Sequence, residues 1–146
     1  MKIFQLLLQL FVLLSLTLVS YADEVAEQRL EPVSHAESYI ISPKNNAEVS
    51  STFKVQFGLK GMGVAPAGTN MPKTGHHHLL IDMEELPDLG KPLAANDNIV
   101  HFGAGQTETE LTLAPGKHTL QLLLADYVHV PHDPPVISKK ITITVK

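Results

Sequence analysis

Cysteine is absent from the 146 residues. That excludes a disulfide scaffold, a thiolate zinc finger, a cysteine nucleophile and a lipoprotein anchor. Basic charge is scarce: 11 Lys and Arg against 15 Asp and Glu give a formal charge of −4. A nucleic-acid partner needs a clustered basic face, and none is present. Tryptophan is missing and phenylalanine occurs five times. There is no phosphate loop, no dinucleotide fingerprint and no Gly-x-Ser-x-Gly elbow. What the chain does have is apolar residues, at 44%, enough for one folded domain, and eight histidines.

Met1 to Ala22 has the pattern of a secretory signal peptide. Lys2 is a short basic start, and Ile3 to Val19 is apolar apart from Gln5, Gln9, Ser15 and Thr17. Ser20-Tyr21-Ala22 offers small residues for cleavage before Asp23. The glutamines make this run a poor membrane anchor. The mature chain is therefore expected in the periplasm or secreted, with no membrane span after cleavage. Residues 23–37, carrying Asp23, Glu24, Glu27, Glu31 and Glu37, read as an acidic, mobile leader. Residues 38–146 form the expected folded domain.

In that domain hydrophobicity alternates. Phe53, Val55, Phe57 and Leu59 interleave with Thr52, Lys54, Gln56 and Gly58. Leu120, Leu122 and Leu124 share one face of a second such strand, and Ile141, Ile143 and Val145 one face of a third. Turn signals separate these runs, among them Pro43-Lys44-Asn45-Asn46, Gly61 to Gly75 and Pro131 to Pro135. The pattern predicts strands near 38–42, 52–59, 76–82, 98–102, 107–113, 117–126 and 136–145. Such a series indicates an all-β, immunoglobulin- or fibronectin-like two-sheet sandwich of about seven strands, with a small closed barrel as the alternative.

His76-His77-His78 opens the third expected strand. Alternation sends His77 with Leu79 and Ile81 toward the core, and His76 with His78 to the more polar face, roughly 7 Å apart at their α-carbons. Two imidazoles at that spacing suit one ion. His129 and His132 lie in a loop stiffened by Pro131, Pro134 and Pro135. In a sandwich of this type, the loop before the third strand and the loop after the sixth lie at one end, so His76, His78, His129 and His132 form the expected metal site. Asp126 is a further ligand or a carboxylate orienting an imidazole. His101 is an additional candidate whose strand the sequence does not assign to a sheet. Met62 and Met71 flank the glycine-rich loop, and thioethers there would favour copper. His118 falls at the other end and is expected to be structural and hydrogen-bonded.

Four segments in order carry a resemblance: Gly75-His-His-His-Leu-Leu-Ile-Asp82, His101-Phe-Gly-Ala-Gly-Gln-Thr-Glu108, Pro115-Gly-Lys-His-Thr-Leu-Gln-Leu122 and His129-Val-Pro-His-Asp-Pro-Pro135. Over roughly residues 39–146 the chain resembles a family of small exported bacterial domains of unknown function. The resemblance implies a periplasmic β domain and no particular reaction. Ser42-Pro-Lys-Asn-Asn-Ala-Glu-Val49 is similar to the opening of periplasmic copper-resistance sandwich proteins, whose first residue is a copper-ligating histidine. Here His35 lies well past the expected cleavage point, so that role is not transferred.

The sequence thus points to a periplasmic transition-metal binding protein, for copper or zinc, that sequesters or delivers its ion. An envelope interaction module with structural histidines and a metal-dependent enzyme are the alternatives. Because neutral imidazole is the ligand, binding is expected to weaken as pH falls through about 6 to 6.5.

Overall fold

The computed structural model describes residues 35–146; the expected signal peptide and the leader up to residue 34 lie outside the described residues. Nine strands are present among them: β1 (Glu37–Ser42), β2 (Ala47–Val49), β3 (Thr52–Lys60), β4 (Gly63–Val64), β5 (Thr74–Ile81), β6 (Ile99–His101), β7 (Glu108–Thr112), β8 (Gly116–Ala125) and β9 (Ile141–Val145). No helix among the described residues is long and apolar enough to cross a membrane.

The strands make two sheets. One has the order β1-β3-β7; the other runs β2-β9-β8-β5-β4, with β6 also paired to β5. β3 takes β1 and β7 antiparallel on its two edges, and β8 does the same with β5 and β9. This is the fibronectin-like arrangement of an all-β two-sheet sandwich. The alternating residues do what alternation requires. Phe53, Val55 and Phe57 of β3 meet Leu79 and Ile81 of β5, Leu120 and Leu122 of β8, and Ile143 and Val145 of β9, in one core between the sheets.

Two short strands have no counterpart in the hydrophobic pattern. β2 pairs in parallel with β9, and β4 in parallel with the start of β5. Runs of three and two residues are too short to show alternation. The last expected strand is also divided. Residues 136–138 lie along β8, through Leu124 N–H to the Val136 carbonyl (2.9 Å) and Ser138 N–H to the Leu122 carbonyl (2.9 Å), before β9 begins at Ile141.

The second face of β5 is not the polar face that alternation suggests. Every residue of β5 is buried. Leu80 there joins Ile99, Leu123, Ala125 and Leu93 in a smaller apolar cluster, against which Met83, Leu89 and Ile137 pack. The segment between β5 and β6 therefore folds back over the sheet, burying both faces of its central strand.

Candidate metal centre

Three segments deliver histidines to one place. β5 supplies His76 and His78, two residues apart and hence on one face. β6 supplies His101, which is paired directly with His78 in the antiparallel ladder. Directly opposed residues share a face, so the register brings the two imidazoles together. The loop after β8 supplies His129. Ring centroids are separated by 4.8 Å for His76–His78, 5.0 Å for His76–His101, 5.1 Å for His78–His101, 5.0 Å for His76–His129 and 4.7 Å for His101–His129. His78 and His129 are 6.1 Å apart.

The loops at this end are tied to one another. Ala67 N–H donates to the Gly103 carbonyl (2.8 Å), and Gly68 N–H to the Tyr127 carbonyl (2.8 Å). The loop bearing His129 is organised by Asp126. Its Oδ1 accepts from Val128 N–H (3.0 Å) and Val130 N–H (2.9 Å). The His129 N–H donates to the Asp126 carbonyl (3.0 Å), and its own carbonyl accepts from Leu93 N–H (2.9 Å). These bonds hold His129 at φ 72°, a left-handed conformation uncommon for a side-chain-bearing residue. Asp126 thus shapes the backbone that presents the imidazole.

His76 and His78 are fully buried, while His101 and His129 are half-buried. Both ring nitrogens of His76 and of His78, and Nε2 of His101, are buried with no hydrogen-bond partner. Burial lowers the His76 pKa to about 4, helped by the neighbouring imidazoles of His101 and His129. The same two causes, with His76 now among the neighbours, take His78 to about 3. His101 is also lowered, by burial and then by His129. At neutral pH these three imidazoles are neutral, the form that ligates a metal.

One ring nitrogen from each of His76, His78 and His101 lies within 4.8 Å of the others. Donors around one tetrahedral ion bonded to nitrogen lie about 3.3 Å apart, so a modest inward rotation of the rings would close the set. Orphaned, buried, neutral nitrogens converging from separate segments fit a transition-metal ion.

The remaining histidines lie outside the ring contacts that join these four. His132 is buried, but its Nε2 stands 2.9 Å from where a Cβ on Gly75 would be. Gly75 alternates with His76, so His132 packs on the His77 side of β5, near enough to His76 to help lower its pKa. His77 itself packs on Phe57 with centroids 5.4 Å apart, and burial lowers its pKa to about 4. His118 is hydrogen-bonded at both nitrogens, to Asp82 Oδ2 (2.6 Å) and the Ala114 carbonyl (2.9 Å), with its pKa raised mainly by Asp82. Met62 is half-buried and Met71 is 53% exposed.

The chain matches the family described as Domain of unknown function (DUF4399) over residues 55–146. No curated protein matches it. Among solved structures it is similar to an endo-beta-1,4-mannanase from Thermotoga petrophila, with 16% identity and a TM-score of 0.46 over 80% of this chain. The chain spans only 21% of that enzyme's length. It is also similar to fibronectin(III)-like modules of Clostridium thermocellum CbhA, with 13% identity and a TM-score of 0.34 over 74% of this chain and 92% of theirs.

Proposed function

The chain belongs to the DUF4399 family, whose description assigns no activity, and from the site alone we propose that it is a periplasmic transition-metal binding protein. It sequesters or delivers one copper or zinc ion through His76, His78, His101 and His129. The observation that carries this is the convergence of four imidazoles from β5, β6 and the loop after β8, with the buried ring nitrogens of His76 and His78 left without protein partners. Leaving such groups unpaired costs roughly 1–3 kcal/mol each, and a bound ion would offset that cost at the coordinating nitrogens.

The two buried ligands meet no side-chain acceptor, so their orientation comes from strand packing and, for His78, from the His76 backbone. Burial also changes the expected pH range. With His76 held near 4 and His78 near 3, protons compete little until the solution is more acidic than the 6 to 6.5 expected of free imidazoles.

The test is metal stoichiometry and affinity of the untagged protein by competition with chromophoric chelators. The double variants His76→Ala/His78→Ala and His101→Ala/His129→Ala are measured alongside His132→Ala. One ion per chain is expected, lost in either double variant and retained in His132→Ala. If folding stability is indifferent to metal and to chelator, the histidines are structural and the domain is an interaction module instead.

A further inference from the structure

The proposed site selects among ions by charge, an inference that rests on the metal-binding proposal above. Its donors are all imidazole nitrogens. Among the described residues, the close group of ligand atoms is His76, His78 and His101, and no carboxylate joins it. The ionisable neighbours that lower the pKa values of these three are other histidines, not acids. Asp126, on the loop that carries His129, is buried, with Oδ1 taken by the Val128 and Val130 N–H groups and Oδ2 without a hydrogen-bond partner; it is not in the close ligand group and not among the groups that shift the three. Leu123 and Ala125, the register partners of His78 and His76, are apolar and fully buried.

The donors themselves therefore neutralise none of the charge of an ion placed here, against apolar strands. The cost of taking an ion out of water grows with the square of its charge, so a dication is penalised about four times as heavily as a monocation of similar size. A carboxylate or thiolate ligand would neutralise part of a dication, and this donor set has neither. Imidazole nitrogen suits zinc and copper alike, so charge decides between them, and copper is the one of the two with a stable monovalent form. We propose that the ion selected by His76, His78, His101 and His129 is monovalent copper, Cu(I), in preference to Zn(II) and Cu(II).

The untagged protein is titrated anaerobically with Cu(I) against a chromophoric Cu(I) chelator, and separately with Zn(II) and with Cu(II). The reduction potential of the bound copper is measured against that of copper with free imidazole in the same buffer. Stoichiometric Cu(I) binding and a potential above the free-imidazole reference are expected. His101→Asp, at a half-buried ligand position, replaces a neutral donor by an anionic one. It should shift the Cu(I)-to-Zn(II) affinity ratio at least tenfold toward zinc and lower the potential. A wild-type potential at or below the reference overturns the charge selection and needs no variant to be read. So does Zn(II) or Cu(II) binding at this site with weak Cu(I) binding, an outcome that leaves the metal centre itself intact. Failure to bind any of the three ions overturns both proposals.

Discussion

Gly103 lacks a side chain because the imidazole of His101 occupies the space its Cβ would take. An alanine there must push the ring aside, since the obstacle is the His101 side chain and not backbone. Gly103→Ala is thus expected to weaken metal affinity at least tenfold with little change in the urea midpoint, by chelator competition and equilibrium unfolding. Gly75 is a different case. Its Cβ would lie 2.6 Å from the Ala125 carbonyl oxygen and 3.0 Å from Leu124 Cγ, so β5 and β8 would have to separate. Gly75→Ala should destabilise the fold by about 1–3 kcal/mol, as overpacking does elsewhere, read as a lower urea midpoint with an unchanged slope.

Among the elements, the loop after β8 depends most on one side chain. Asp126→Ala removes the acceptor of two N–H groups, frees the turn that holds His129 at positive φ, and leaves those donors to find water. Metal affinity should fall to about the level of His129→Ala. Asp126→Asn keeps an acceptor oxygen in place and should retain most of it. Both comparisons are made by the same competition titration. The strands with long alternating runs, β3, β8 and the end of β9, were legible from sequence because period-two hydrophobicity is a direct consequence of one buried face. So was the pairing of His76 with His78 on one side of β5. The covering of that side was not legible, since it depends on Leu93 and Leu89 reaching back from a segment with no periodicity of its own. His101 could not be assigned a sheet because β6 is three residues long, and its register against β5 is a tertiary fact. The prolines around His132 indicated a restrained loop, but not on which side of β5 its ring would rest.

Across the whole molecule, the histidines oppose one another in their effect on stability. His76, His77 and His78 are lowered from 6.5 to about 4, about 4 and about 3. Below pH 6.5 the unfolded chain binds protons that the folded chain refuses. Their low pKa values therefore cost nothing above that pH and destabilise the fold increasingly as the solution is acidified toward those lower values. For His77 alone the loss is on the order of 3 kcal/mol. His118 works the other way. With its pKa raised by Asp82, it stabilises the fold below about 6.5, and that contribution disappears as pH rises through the folded value. Metal-free protein should accordingly lose urea midpoint steadily from pH 6.5 to 4. His118→Ala should lower the midpoint more at pH 6 than at pH 8, as measured by urea unfolding at each pH.

The parallel seam of β2 with β9 joins strands near opposite ends of the domain's sequence. Asn46 N–H meets the Thr142 carbonyl at 2.6 Å, and Lys146 N–H meets the Val49 carbonyl at 3.0 Å. Nearly the whole domain is thus looped out between strands that must find each other, the kind of distant pairing that slows folding. In the unfolded chain, before β6 and β8 pair with β5, His76-His77-His78 is an open tract, attractive to ions before its geometry exists. Timing then matters as much as affinity: an ion arriving early meets three neighbours in a row, and an ion arriving late meets a chamber drawn from three separate segments.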